Sequence, residues 1–173
     1  MTIKSIECSI VDKGWDNEWI KPQMSQFETG KKIAVIGSGP AGLAASQQLC
    51  RVGHEVHLYE KNSKSGGLLR YGIPDFKMEK HHIDRRIYQM EAEGVKFYNN
   101  VCVGRDISIN DLISEYDAVI LAGGAEKPRD LPIEGRELDG IHLAMDFLPQ
   151  QNRRIGKETQ DPAKEILARN KHV

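Results

Sequence analysis

The sequence predicts an α/β domain built on a mostly parallel sheet, preceded by an N-terminal helix and a linker. Three observations predict it. Residues 32–36 read Lys-Ile-Ala-Val-Ile, a short apolar run suited to a strand covered on both faces. Gly37-Ser38-Gly39-Pro40-Ala41-Gly42 follows at once and opens a helical stretch over 41–52, which leads to a second apolar run, 55–59, closing on Glu60. A third run, 118–122, passes directly into Gly123-Gly124. Strands alternating with helices build parallel sheets, because each crossover must return the chain to the same edge.

Each element has its own signal. Residues 2–13 carry Ile3, Ile6, Ile10 and Val11 at helical spacing, with Thr2 placed to cap them. Residues 14–30 read as a linker whose Trp15 and Trp19 are expected to pin it to a neighbouring surface. Gly53 stops the helix of 41–52. The glycine-rich stretch 61–77 is expected to be a loop, and loops of that length inside a domain are usually functional. Ile83, Ile87 and Met90 share one face of a helix over 79–93, which Gly94 ends. Residues 95–98 and 101–103 are strand candidates, and 109–114 form a short helix. Residues 126–173 are punctuated by Pro128, Pro132, Pro149 and Pro162, with one helix near 144–151. The chain thus divides into an arm, 1–30, and a domain, 31–173.

The turn after the first strand carries chemistry. Gly37 permits a tight turn, Gly39 lets a backbone approach a pyrophosphate, and Gly42 lets the helix pack on the strand. The helix start offers N–H groups and the positive end of a dipole to phosphates. Glu60 ends the second strand, where a carboxylate accepts hydrogen bonds from a ribose 2′-hydroxyl and repels a 2′-phosphate. Strand, turn, helix, strand and acid together make a dinucleotide-binding unit of Rossmann type. It suits the ADP half of FAD or NAD rather than NADP.

Other features narrow the field. A formal net charge of −1 gives no electrostatic reason for nucleic-acid or membrane binding. No apolar run approaches the roughly 18–20 residues that span a bilayer, and residues 1–9 hold no signal core, so a cytoplasmic protein is expected. Cys8, Cys50 and Cys102 are too dispersed for a metal or iron–sulfur site of their own; Cys50 and Cys102 read as core residues. His81 and His82 point different ways on a helix and read as surface residues. Asp84-Arg85-Arg86, Asn152-Arg153-Arg154, Glu79, Glu91 and Glu93 read as solvated or ion-paired faces. No Ser–His–Asp or paired-carboxylate set is present, so no catalytic side chain is assigned.

Longer runs carry a family likeness. Gly66-Gly67-Leu68-Leu69-Arg70-Tyr71-Gly72-Ile73-Pro74-Asp75-Phe76-Lys77, the stretch Tyr116 to Ala125, Pro128-Arg129-Asp130-Leu131-Pro132-Ile133 and Ala144 to Arg154 resemble the small (β) subunit of bacterial-type glutamate synthase. Dihydropyrimidine dehydrogenase and related flavin oxidoreductases share the module more loosely. The resemblance implies an FAD-binding domain in an NADPH-dependent enzyme that relays electrons through iron–sulfur clusters to a large subunit, where glutamine and 2-oxoglutarate yield glutamate. By position it places the FAD phosphates at Gly37, Ser38, Gly39, Pro40, Ala41 and Gly42, and the adenosine ribose at Glu60 beside Lys61. It sets Gly67 and Leu68 against the flavin end, Lys77 toward the phosphates, Val103 near the adenine, and Ala122, Gly123 and Gly124 at the ligand edge of the sheet. Arg70 stays open between surface cation and cofactor or partner contact. In that family the cluster-binding cysteines lie upstream of Met1, which makes residues 1–30 the tail of an iron–sulfur domain. The NADPH unit begins after Lys171-His172-Val173. The chain therefore reads as a middle piece, weaker in FAD binding than its parent and prone to self-association. The alternatives are a non-catalytic FAD-binding or partner-binding fragment and the flavin module of another NAD(P)H-linked oxidoreductase, such as a pyrimidine reductase.

Overall fold

A computed structural model describes residues 2–170; Met1 and residues 171–173, where a second glycine-rich unit was expected to adjoin, lie outside the described residues. The elements are α1 (Ile3–Asp16), β1 (Lys32–Ile36), α2 (Pro40–Arg51), β2 (Glu55–Glu60), α3 (Leu68–Tyr71), α4 (His81–Glu93), β3 (Lys96–Asn99), α5 (Ile109–Glu115), β4 (Ala118–Leu121) and α6 (Ala144–Ile155), with a 3₁₀ turn at Pro162–Lys164. The four strands form one sheet in the order β3-β2-β1-β4, and every pairing is parallel.

Alternation along the strands sorts the core into two layers. Ile33 and Val35 of β1 join Val56 and Leu58 of β2 on one face, under Leu43 and Cys50 of α2 and Met90 of α4. Ala34 and Tyr59 face the other way, against Leu112 of α5 and Tyr116. Val35, Val56 and Leu58 are fully buried, and each such side chain stabilises the fold by about 1.5–3 kcal/mol relative to exposure. The register pairs Ile36 with Tyr59 and with Leu121, so the carboxyl ends of β1, β2 and β4 share one edge. The chain leaves β1 through α2 to β2 on one side and reaches β4 on the other. A crevice opens where such connections diverge, and ligands of open parallel sheets bind there.

The departures from expectation have local causes. Residues 101–103 are no strand. The Cys102 N–H is held by the Asp106 carboxylate at 2.8 Å, and the Cys102 carbonyl accepts from the Arg105 and Asp106 N–H groups. A side chain that offers the backbone a turn competes with a ladder, and a lone parallel bridge, Val103 to Ile107, is what remains. The Arg105 hydrogen bond and the Cys102 N–H hold the Asp106 carboxyl down at about 2. Cys102 is consequently half-exposed rather than core, whereas Cys50 is buried as expected. α1 extends to Asp16 with no cap bond from the Thr2 side chain. Trp15 lies within it beneath the Arg85 guanidinium, 5.2 Å from the ring, but Trp19 is 68% exposed and pins nothing. The loop of 61–77 contains the single turn α3.

Candidate dinucleotide-binding site

The turn between β1 and α2 is built by contacts that only glycine allows. Gly37 has φ +102, and a Cβ there would lie 2.5 Å from the Ala122 carbonyl oxygen. Its N–H donates to the Tyr59 carbonyl at 2.8 Å, which draws the turn over the end of β2. A Cβ on Gly42 would stand 1.9 Å from the Gly37 carbonyl oxygen, so the first turn of α2 sits directly on the loop. Gly39 is different, since a Cβ there would meet nothing within 4 Å. It is the N-cap of α2, and no side chain caps that end. Uncapped N–H groups and the positive end of the helix therefore face open space, which is what an anionic diphosphate needs.

Pro40 and Ala41 are exposed at the start of α2, and Ser38 is fully buried. Ser38 turns inward. Its N–H and Oγ both donate to Glu60 Oε2, the first at 3.2 Å, and its Oγ accepts the Gly66 N–H at 2.9 Å. Glu60 is 4% exposed. Its Oε1 accepts the Asn62 N–H at 2.8 Å and the Asn62 side-chain amide at 2.7 Å. The strand-end carboxylate thus faces the glycine turn and is wired to it through Ser38.

The Gly66-Gly67 pair closes onto the same turn. A Cβ on Gly67 would come within 2.7 Å of Gly39 Cα, so the absent side chain is needed there for packing of one loop on the other. Leu68 follows, 55% exposed at the start of α3. Lys61 is exposed and ion-paired with Glu126. Lys77 is exposed beyond Pro74. Val103 is half-buried against the second core layer. Ala122 donates its N–H to the Ile36 carbonyl at 2.8 Å, and Gly123 and Gly124 are exposed just past the strand ends. The structure brings Gly37, Ser38, Gly39, Gly42, Glu60, Gly67 and Ala122 together at one sheet edge; the Lys77 N–H bonds instead to the Pro74 carbonyl, and Val103 bridges to Ile107. Among the described residues there is no cluster of His, Cys, Asp or Glu that could hold a metal, and no helix is long and apolar enough to cross a membrane.

Several neighbours of the site depart from the sequence expectation. Arg70 is no surface cation. It is buried, its Nε donates to the Ser65 carbonyl at 2.6 Å, and its guanidinium pairs with Asp84. Arg153 is no solvated cation. It donates to Asn62 Oδ1 at 2.9 Å and stacks 4.9 Å from the Tyr71 ring centre. Asn152 beside it is buried and donates to the Tyr71 carbonyl at 2.9 Å. Asn62 belongs to no motif of the sequence, although an amide two residues past a strand-end acid is a local signal.

Comparison with known proteins agrees with this architecture. The family model of pyridine nucleotide-disulphide oxidoreductases matches residues 31–166. The glutamate synthase [NADPH] small chain of Mycobacterium tuberculosis is 57% identical over 153 residues, covering 88% of this chain and 31% of the relative. That of Bacillus subtilis is 50% identical over 148 residues, covering 86% and 30%. The chain thus spans about a third of the length of these relatives. Among solved structures, FprA of Mycobacterium tuberculosis in complex with NADPH superimposes with a TM-score of 0.61 at 33% identity, over 70% of this chain and 29% of that one. With the match covering the whole sheet and both sides of the glycine turn, the chain belongs to the pyridine nucleotide-disulphide oxidoreductase family.

Proposed function

We propose that this chain is the FAD-holding part of an NADPH-dependent glutamate synthase small subunit. The chemistry a bound FAD supplies in this reading is transfer of reducing equivalents from NADPH toward iron–sulfur clusters, ending in glutamate formation from glutamine and 2-oxoglutarate on a large-subunit partner. The chain's own residues bind and orient. Gly37 to Gly42 hold the diphosphate, with the N–H groups of α2 aimed at it. Glu60 receives the adenosine ribose, with Lys61 beside it. Gly67 and Leu68 border the flavin end, Lys77 and Val103 contact the phosphates and adenine, and Ala122 to Gly124 floor the crevice. In this reading residues 1–30 form the arm toward the part that holds the clusters.

One observation carries the reading: the open space over Gly39 lies on the same sheet edge as Glu60, with the turn and the carboxylate tied through Ser38. The identities to named small chains support the assignment to glutamate synthase. The test is an equilibrium titration of FAD into the 173-residue chain, followed by a visible spectrum. Saturable uptake with shifted flavin bands is expected, and a linear, unsaturable response overturns the reading.

A second reading, that the isolated chain associates with itself, is favoured by a specific observation. Among the described residues β4 is an edge strand; Leu121 within it is 76% exposed, and Leu131, Ile133 and Leu138 in the segment that follows are 64%, 59% and 63% exposed. Unpaired edges and exposed apolar side chains invite pairing between copies. Light scattering at rising concentration is expected to show a mass above that of the monomer.

A further inference from the structure

A sugar arriving at Glu60 finds every acceptor position filled. A carboxylate offers about four lone-pair sites, and Glu60 accepts four hydrogen bonds: two from Ser38 and two from Asn62. Three of the four donors are fixed. The Ser38 N–H belongs to the glycine turn, and the buried Ser38 hydroxyl also holds Gly66. The Asn62 N–H belongs to a backbone whose carbonyl accepts from Asn100 at 3.0 Å. The fourth donor, the Asn62 side-chain amide, sits on a half-buried residue and leaves by rotating its side chain.

We propose that Asn62 is a latch on the sugar-binding carboxylate, held shut in the free chain and displaced by a hydroxyl of the adenosine ribose. This rests on the dinucleotide reading above. The exchange is chemically matched, because an amide N–H and a ribose O–H are both donors to the same anionic oxygen. A 2′-phosphate has no proton to offer in that place at neutral pH and meets the Glu60 charge, so it cannot take over from the amide and open the latch. Arg153 sets it. Its guanidinium holds Asn62 Oδ1 while stacking on Tyr71, and Tyr71 in turn donates to Glu158 at 3.1 Å. Opening at Glu60 is thereby felt by α6. Asn62 and Arg153 are positioning residues acting through Glu60.

The experiment is calorimetric titration of the full chain with ADP, which carries the ribose and the diphosphate without the flavin, and with 2′,3′-dideoxy-ADP, which lacks the hydroxyls. Asn62→Ala is expected to bind ADP about tenfold tighter than wild type, the size of one hydrogen bond to a charged group that no longer has to be exchanged. The dideoxy analogue is expected to bind both proteins alike. Arg153→Met is expected to tighten ADP binding by a smaller factor, and it decides the matter alone if Asn62→Ala does not fold. ADP binding that is unchanged or weaker in the variants overturns the latch, as does an equal gain with the dideoxy analogue. If wild type itself takes up no ADP, the dinucleotide reading falls and the latch with it; if wild type binds and the variants match it, the latch alone falls.

Discussion

The glycines of the turn do not share one constraint, and substitution separates Gly42 from Gly39. At Gly42 an added methyl group would meet a backbone oxygen at 1.9 Å, with no flexible side chain to yield. Gly42→Ala is expected to destabilise the fold by about 3 kcal/mol, the upper range of overpacking, as read by a lowered urea midpoint. At Gly39 the added methyl enters open space, and the backbone there, φ −66 and ψ 179, suits any residue. Gly39→Ala is expected to cost at most about 1 kcal/mol, through the poorer N-cap, yet to weaken FAD binding at least tenfold in the same titration that tests the function. A Gly39→Ala protein that is stable and binds FAD like wild type contradicts the placement of the diphosphate at this turn. The contrast is informative because a glycine kept for folding and one kept for ligand access look identical in sequence.

At the level of elements, one carboxylate joins three of them. Glu93 ends α4 with its side chain fully buried, where it accepts from Arg51 at 2.6 and 3.1 Å and from Gln47 at 2.8 Å, both on α2. It also accepts from Gln89 and from the backbone N–H of Gln23, each at 3.1 Å, which ties the N-terminal arm to the domain. Burial pushes this carboxyl upward, and the bonds from Arg51 and Gln47 outweigh burial, leaving it below its ordinary value. Glu93→Ala leaves several buried donors unpaired. It is expected to cost on the order of 2–4 kcal/mol and to expose residues 17–30 to proteolysis, checked by limited digestion and mass spectrometry. None of this was legible beforehand. A Glu in the last turn of a helix reads as solvated, and its partners come from as far as 70 residues away. Arg153 was hidden for the same reason. By contrast β1, α2, β2 and β4 were legible nearly to the residue, because strand, turn and helix signals there are local and agree with one another. The run 101–103 failed where a neighbouring carboxylate, Asp106, captured the backbone. The glycine turn and its facing acid were likewise readable from spacing, while the saturation of Glu60 by Ser38 and Asn62 needed coordinates.

Stability of the whole molecule against acid is governed by a chain of groups across one face of the sheet. Tyr59 and Tyr116 share a hydrogen bond at 2.7 Å, Tyr116 meets His57 Nδ1 at 2.6 Å, and His57 Nε2 meets Glu55 at 2.9 Å. Because Glu55 only accepts, His57 Nε2 carries the proton. Nδ1 then accepts from Tyr116, whose oxygen accepts from Tyr59. All partners are satisfied with a neutral ring. Protonation at Nδ1 turns an acceptor into a donor facing the Tyr116 hydroxyl. Burial lowers the His57 pKa below its ordinary value, aided by Lys96 and Lys32, and Glu55 opposes this only in part. Burial and the neighbouring His81 and Arg85 charges lower His82 as well. A depressed histidine stabilises the fold above its unfolded pKa, and that contribution is lost as pH falls through the folded value. Through these histidines stability is therefore expected to decline as pH falls below about 6.5, with a further decline below the ordinary carboxylate range as Glu93 protonates. Urea unfolding at a series of pH values measures this directly. His57→Gln keeps an acceptor and a donor but cannot titrate, so its unfolding free energy should vary less than wild type's between pH 7.5 and 5.5. His82→Gln, on the surface of α4, should remove a smaller part of the slope. An undiminished slope in His57→Gln would place the acid sensitivity elsewhere and break the proton assignment along the Tyr59–Tyr116–His57–Glu55 chain.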